Sequence, residues 1–111
     1  MKNLEDIDIF ETLEYIKRTA PKYAQAKANR IYCDEYRKTL KASLMETRLN
    51  EPVNAREIYA YAHHEYVRHL EAIKEAVAVE EEYRWKLVAA QALIEVWRSL
   101  SANQRAEGKV I

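Results

Sequence analysis

The chain has neither glycine nor proline between Asn54 and Gly108. Its one glycine is Gly108, and its two prolines are Pro21 and Pro52. Since glycine and proline are the usual turn residues, this composition excludes all-β sandwiches, Rossmann units and glycine-rich phosphate loops. A chain of 111 residues is at most one domain. The sequence therefore predicts a single all-α domain.

The two prolines divide the chain into three predicted helices. Proline fits best in the first turn of a helix, where no amide donor is needed. Asp6 is expected to cap the first helix and Asn54 the third. The predicted helices comprise residues 5–19, 21–49 and 54–104. The third would be about 75 Å long if unbroken, so we expect an elongated molecule. The alternative is a compact three-helix bundle with a broken third helix.

Apolar and aromatic residues recur along the third helix in steps of three and four, which is typical of a left-handed coiled coil. These seam positions are Tyr59, Ala62, Tyr66, His69, Ile73, Ala76, Glu80, Tyr83, Leu87, Ala90, Ile94, Trp97 and Ser101. A matching stripe in the second helix comprises Ala26, Asn29, Cys33, Tyr36, Leu40, Leu44 and Thr47. The pattern predicts an antiparallel, coiled-coil-like helical hairpin preceded by a short N-terminal helix.

Residues 87–100 are apolar on two faces of the predicted third helix, and a helix of this kind is usually buried on both. A second helix of about 29 residues cannot cover a third helix of about 50. We therefore expect another copy of the chain to cover the remainder, forming a homodimer. The expected interface comprises Leu87, Ala90, Leu93, Ile94, Val96, Trp97 and Leu100.

Three histidines, His63, His64 and His69, form the densest group of potential metal ligands. Ligands on one helix need a spacing of three or four residues, which no pair of these histidines has, so we expect no metal site. His69 and Glu80 fall on the seam, where buried polar residues set register or partner number. Glu80 is expected to pair with Arg84, one turn later.

No residue pattern in the chain is typical of catalysis. There is no nucleophile–base pair, no metal-ligand set and no glycine-rich loop, and Cys33 is expected to fill space on the apolar stripe. These features predict a non-enzymatic protein with no cofactor and no evident small-molecule substrate. No apolar run approaches the roughly 18 residues of a membrane span, so we expect a soluble protein of the cytoplasm.

Positive charge is concentrated in the second predicted helix. Residues 17–48 contain nine Lys or Arg and three Asp or Glu, a net charge of +6, although the whole chain has a formal net charge of zero. Arg30, Arg37, Lys41 and Arg48 lie within about 40° of one another on the helix. This basic stripe is suited to a phosphate backbone, with tyrosines available for base stacking. The alternative is a solvated flank paired with glutamates of a neighbouring helix.

Two segments of the chain resemble a group of small phage and prophage proteins, often encoded among early genes near recombination functions. The segments are REIYAYAHHEYVRHLEAIKEAV at 56–77 and LIEVWRSLSANQRAEG at 93–108. Their most distinctive parts are Ala-Tyr-Ala-x-x-Glu-Tyr at 60–66 and Ile-Glu-Val-Trp-Arg-Ser, which ends at Ser99. The resemblance spans about residues 40–108 and implies a phage origin and an accessory role. It assigns no catalytic residue.

The sequence and the resemblance together predict a phage accessory protein in DNA recombination or replication, acting in the host cytoplasm. It is expected to bind another phage or host protein, or single-stranded DNA, through its helical surfaces. The basic stripe would make the anionic contact. The alternative is a phage inhibitor of a host nuclease or defence complex, whose helices block a nucleic-acid channel.

Overall fold

The computed structural model describes residues 4–110, with side chains described for residues 4–108. A 3₁₀ turn, Leu4–Asp6, is followed by three α-helices, and no strand occurs among the described residues. The helices are α1 (Ile9–Glu46), α2 (Val53–Ala62) and α3 (His64–Val110). The predicted all-α class is confirmed.

Helix α1 continues through Pro21, so the predicted helices 5–19 and 21–49 are one element. Proline lacks an amide hydrogen, which leaves the carbonyl of Lys17 without its usual partner. Both residues are exposed, so water can bond that carbonyl. Thr19 before the proline and Ala26 after it are both buried. The contacts that bury them outweigh the local cost of the proline.

The start of α1 is capped by Asp8 rather than by Asp6 as predicted. Its Oδ1 accepts a hydrogen bond of 3.0 Å from the Glu11 amide, and its carbonyl accepts one of 2.9 Å from the Thr12 hydroxyl. A side-chain oxygen that accepts from the third helical amide is a standard N-cap. Asp6 instead ends the preceding 3₁₀ turn.

The predicted helix 54–104 is two helices, because the chain is extended at His63. This residue has φ −66° and ψ 139°, and its Nδ1 accepts a hydrogen bond of 3.1 Å from the Glu65 amide. Its carbonyl accepts one of 3.1 Å from the Val67 amide. His63 therefore ends α2 and caps α3, although no glycine or proline indicates a break.

The start of α2 also differs from the prediction. Pro52 is the residue before the helix and makes no side-chain cap. Asn54 lies within the first turn, where its Oδ1 accepts from the adjacent Ala55 amide at 3.0 Å. Asn54 is therefore not the N-cap residue.

The chain forms two compact units, Met1–Tyr23 with Glu82–Ile111 (unit 1) and Ala24–Glu81 (unit 2). In unit 2 the core comprises Leu44, Ala60 and Tyr66, with Leu40, Met45 and Tyr59 packed against it. In unit 1 the buried residues are Ile7, Thr12, Thr19 and Ala90.

Burial along α3 follows the predicted seam. Every seam position from Tyr66 to Ser101 is buried or half-buried. In α2 the buried position is Ala60, whereas Ala62 is exposed, because the break at His63 interrupts the helical phase. In α1 the predicted stripe is only partly buried, since Asn29 and Tyr36 are exposed. Half-buried Arg30 and Arg37 occupy the contact face beside them.

No helix of the described part of the chain is both long enough and apolar enough to cross a membrane.

Candidate functional site

The four residues of the predicted basic stripe lie in unit 2 and differ in environment. Arg30 binds the buried carboxylate of Glu80 through two hydrogen bonds of 2.9 Å, from Nη2 to Oε1 and from Nε to Oε2. The Arg30 side chain is 32% exposed and that of Glu80 only 9%. Arg30 therefore behaves as the alternative interpretation expected, paired with a glutamate of another helix.

The other three cations have looser carboxylate partners. The nitrogen–oxygen distance is 3.8 Å from Arg37 to Asp34, 3.8 Å from Lys41 to Glu57 and 3.5 Å from Arg48 to Glu51. These distances are at or beyond the limit of a hydrogen bond. Such pairs at the surface contribute at most about 1 kcal/mol each. A phosphate oxygen can therefore replace these carboxylates at little cost.

A basic–aromatic cleft lies beside two of the remaining cations, Arg37 and Lys41. Its volume is about 210 Å³, and it is lined by Arg37, Lys38, Lys41, Tyr61 and Tyr66. The Lys41 ammonium lies 4.7 Å from the centroid of the Tyr61 ring. That ring meets Tyr66 edge-on, at a centroid separation of 5.3 Å. The cleft thus combines three cations with one exposed and one buried aromatic ring.

Lys41 keeps its charge in this setting. A hydrogen bond with Tyr61 raises the pKa of Lys41 above its ordinary value, and the nearby Glu57 adds to this effect. Partial desolvation opposes the shift but is smaller than the hydrogen-bond contribution. The ammonium is therefore a permanent cation at physiological pH.

Sequence reasoning identified the cations of the cleft but not its aromatic wall. Tyr61 and Tyr66 belong to α2 and α3 and lie 20 and 25 residues beyond Lys41 in the chain. The alternation of aromatic and small residues at 59–62 is the only local signal. Which ring reaches α1 depends on the break at His63, which has no signal in the sequence.

A second cation–aromatic contact in unit 2 lies outside the lining of the cleft. The Arg48 guanidinium lies 4.3 Å from the centroid of the Tyr59 ring. Tyr59 meets His63 edge-on at 5.5 Å, and His63 stacks on His64 at 4.4 Å. The segment 37–64 therefore places a cationic side chain against an aromatic ring at two positions, Lys41–Tyr61 and Arg48–Tyr59.

The predicted polar residues of the seam each bind a partner across unit 2. The Nε2 atom of His69 lies 2.6 Å from the carbonyl oxygen of Cys33, and Glu80 binds Arg30. The sequence placed Arg30 in the basic stripe and predicted Arg84 as the partner of Glu80. It did not indicate the Arg30–Glu80 pair, because these residues lie 50 positions apart in the chain. Their role in setting register stays a prediction. Among the described side chains, no group of three or more His, Cys, Asp or Glu could hold a metal ion.

The expected oligomer-interface residues of unit 1 fall on two opposite faces of α3. Ala90 is only 8% exposed, so most of its surface is already covered within unit 1. Leu87, Ile94, Trp97 and Leu100 are half-buried. Leu93 and Val96 are exposed at 40% and 48%.

The exposed pair belongs to an outer apolar face that also includes Trp85, Val88, Ala89 and Ala92. At 100° per residue this outer face is centred roughly 150° from the buried seam. Trp85 is 58% exposed, and the Arg84 guanidinium lies 4.5 Å from its ring centroid. The two apolar faces predicted from the sequence are therefore present, and unit 1 covers one of them.

The chain matches no protein-family model, and no curated protein or solved structure is significantly similar to it.

Proposed function

We propose that this chain is a non-enzymatic phage accessory protein in DNA recombination or replication, acting through single-stranded DNA or protein binding on its helical surfaces. The basic–aromatic cleft of unit 2 is the observation that supports this proposal most strongly. A phage origin rests on the sequence resemblance alone.

The chemistry of the cleft fits single-stranded nucleic acid. Proteins that bind single strands combine cations along the phosphate backbone with aromatic rings on which bases stack. Arg37, Lys38 and Lys41 supply the cations, and Tyr61 supplies a ring that is about half exposed. A cleft of about 210 Å³ accommodates a phosphate and part of a sugar.

The carboxylate partners of the cleft cations are compatible with this role. Those of Arg37 and Lys41 are 3.8 Å away, whereas Lys38 donates a hydrogen bond of 3.1 Å to Glu35 at the exposed surface. Each of these carboxylates is an exposed or half-buried surface group, and solvent screens such pairs strongly. A polyanion offers several phosphates at once, and it gains entropy when its condensed counterions are released. Binding should therefore be weak to moderate and strongly dependent on salt.

The proposal includes a homodimer. The outer apolar face of α3, with Trp85, Leu93 and Val96, is the surface that the fold of unit 1 leaves for a partner. A dimer would present two basic–aromatic clefts to one strand and so increase the effective affinity.

The test is fluorescence anisotropy of a labelled single-stranded oligonucleotide at low ionic strength. The unmodified protein should bind, and Arg37→Glu with Lys41→Glu should weaken binding at least tenfold. Lys74→Glu with Arg98→Glu is the matched control, because these exposed cations lie outside the cleft and the change in charge is the same.

Two results would count against the proposal. Absence of binding at low salt would remove the DNA contact and favour the inhibitor alternative. Equal losses in both double variants would show that binding depends on total charge and not on the cleft.

A further inference from the structure

A second concave surface lies in unit 1, between the first part of α1 and the second half of α3. This groove has a volume of about 550 Å³. Its floor is formed by small and apolar residues, including Ala89, Ala90 and Leu93. Ala89 and Leu93 also belong to the outer apolar face, so the groove and that face form one continuous surface.

The two ends of the groove carry opposite charge. Asp6, Asp8 and Glu11 lie at the end where α1 begins, whereas Arg18 and Lys86 lie at the other end. Asp8 and Arg18 are separated by about 15 Å along the helix axis. Lys86 is the first α3 residue that lines the groove, and it belongs to the Arg18 end because α1 and α3 run antiparallel, as the Arg30–Glu80 and Cys33–His69 contacts show. Its ammonium also lies 3.1 Å from Glu82 Oε1, one turn earlier in α3.

We propose that a second copy of this chain covers the groove, related to the first by a two-fold axis that passes through the exposed α3 surface at Ala89 and Leu93, so that α3 of each copy lies over the groove of the other. This inference rests on the dimer in the proposed function and adds its register and charge pairing. The acidic end of each copy faces the basic end of the other. The two α3 helices cross antiparallel over Ala89 and Leu93.

The charge pattern of the groove favours a second copy of the chain as its partner. A two-fold interface joins the same patch on both copies, and the axis exchanges the two ends of that patch. A patch of one sign repels itself in this arrangement, whereas a patch with opposite ends attracts itself twice. The small side chain of Ala89 allows close approach, and Leu93 is exposed enough to be covered.

Charge reversal followed by mixing tests the register. One variant, Arg18→Glu with Lys86→Glu, makes both ends acidic. A second, Asp6→Lys with Glu11→Lys, makes both ends basic and leaves the helix cap at Asp8 unchanged. Each variant alone should have a dimer dissociation constant raised about 100-fold, because like charges then meet at both ends. An equimolar mixture should recover a heterodimer.

Sedimentation equilibrium gives the masses, native mass spectrometry of differently tagged variants identifies the heterodimer, and circular dichroism confirms that each variant is helical. Lys74→Glu, an exposed substitution outside the groove, should remain dimeric. Recovery of the heterodimer on mixing supports the inference, because misfolded variants cannot rescue each other.

The inference is overturned if both variants stay dimeric, or if folded variants fail to pair on mixing. In either case the dimer of the proposed function still stands. If the unmodified protein is monomeric at all concentrations, both this inference and the dimer of the proposed function are overturned. Binding of a basic peptide in the groove would not rescue either of them. DNA binding is a separate outcome, since the cleft belongs to unit 2 and should function in monomeric variants.

Discussion

The guanidinium of Arg30 in α1 and the carboxylate of Glu80 in α3 form an ion pair with three hydrogen bonds across unit 2. Glu80 is buried, whereas Arg30 reaches solvent along about a third of its side chain. Of the four cations in the predicted basic stripe, this one acts inside the fold. Arg37 and Lys41 line the basic–aromatic cleft instead, and Arg48 lies at the surface with 46% of its side chain exposed.

Substitution of Arg30 should lower the free energy of unfolding more than substitution of Glu80. Arg30→Met leaves a buried carboxylate without its main cation and should lower the free energy of unfolding by about 2–4 kcal/mol. Glu80→Gln leaves a guanidinium that can reach water, so its cost should be about 1–2 kcal/mol. Urea denaturation of both variants measures the difference. Equal costs would mean that the pair is effectively a surface salt bridge.

The helical class and the seam were predictable because both follow from composition and periodicity. Every seam position in α3 from Tyr66 onward is buried or half-buried, since burial follows helical phase directly. The continuity of α1 through Pro21 was not predictable, because a proline normally marks a boundary and only contacts distant in sequence outweigh its cost. The same holds for Glu80, whose partner lies in another helix.

The break at His63 was the least predictable feature of the fold. Histidine is not a preferred cap, and its role depends on an extended backbone and on the Glu65 amide. The aromatic wall of the cleft depends on this break, because Tyr61 and Tyr66 lie on either side of it. The sequence therefore indicated the cations of the candidate site but not their stacking partners.

Substitution of His63 should test its capping role. His63→Ala removes the side-chain acceptor and should destabilise the protein by about 1 kcal/mol, whereas His63→Asn supplies another good cap and should cost little. His64→Ala is the matched control, because the adjacent ring makes no cap. Chemical denaturation measures all three. If the asparagine variant loses as much stability as the alanine variant, His63 acts through ring stacking instead.

Pro21→Ala should stabilise the protein. The substitution restores an amide that can bond the Lys17 carbonyl inside α1, and it removes an interior proline that costs about 3 kcal/mol relative to alanine. Greater freedom of the unfolded chain offsets part of this gain, leaving about 1–2 kcal/mol. Thermal unfolding should show a higher Tm.

Pro52→Ala is the control for this prediction. Pro52 precedes α2, where no amide donor is needed, so its replacement should bring no gain. An unchanged or lower Tm for Pro21→Ala would show that the proline does not destabilise α1 at this position.

Tyr61→Phe should lower the pKa of Lys41 toward its ordinary value, because it removes the hydrogen bond that raises it but keeps the ring. Since the pKa of Lys41 is higher in the folded state, the resulting stability is present at neutral pH and is lost as pH rises through that pKa. A carbon-13 NMR titration of the lysine side chains measures the change.

Lys86 is an internal reference in this titration, because its pKa is raised mainly by a hydrogen bond to Glu82. It should titrate identically in the unmodified protein and the Tyr61→Phe variant. An unchanged pKa for Lys41 in the variant would place the origin of its shift at Glu57.

The salt dependence of single-stranded DNA binding tests the central claim most directly. If Arg37, Lys38 and Lys41 each neutralise one phosphate, the logarithm of the association constant should fall with the logarithm of salt concentration with a slope of about −2. Lys41→Gln should reduce that slope by about 0.7, and Lys74→Gln should leave it unchanged. A slope near zero, or one that Lys74→Gln alters as much as Lys41→Gln, would contradict a DNA contact at the basic–aromatic cleft.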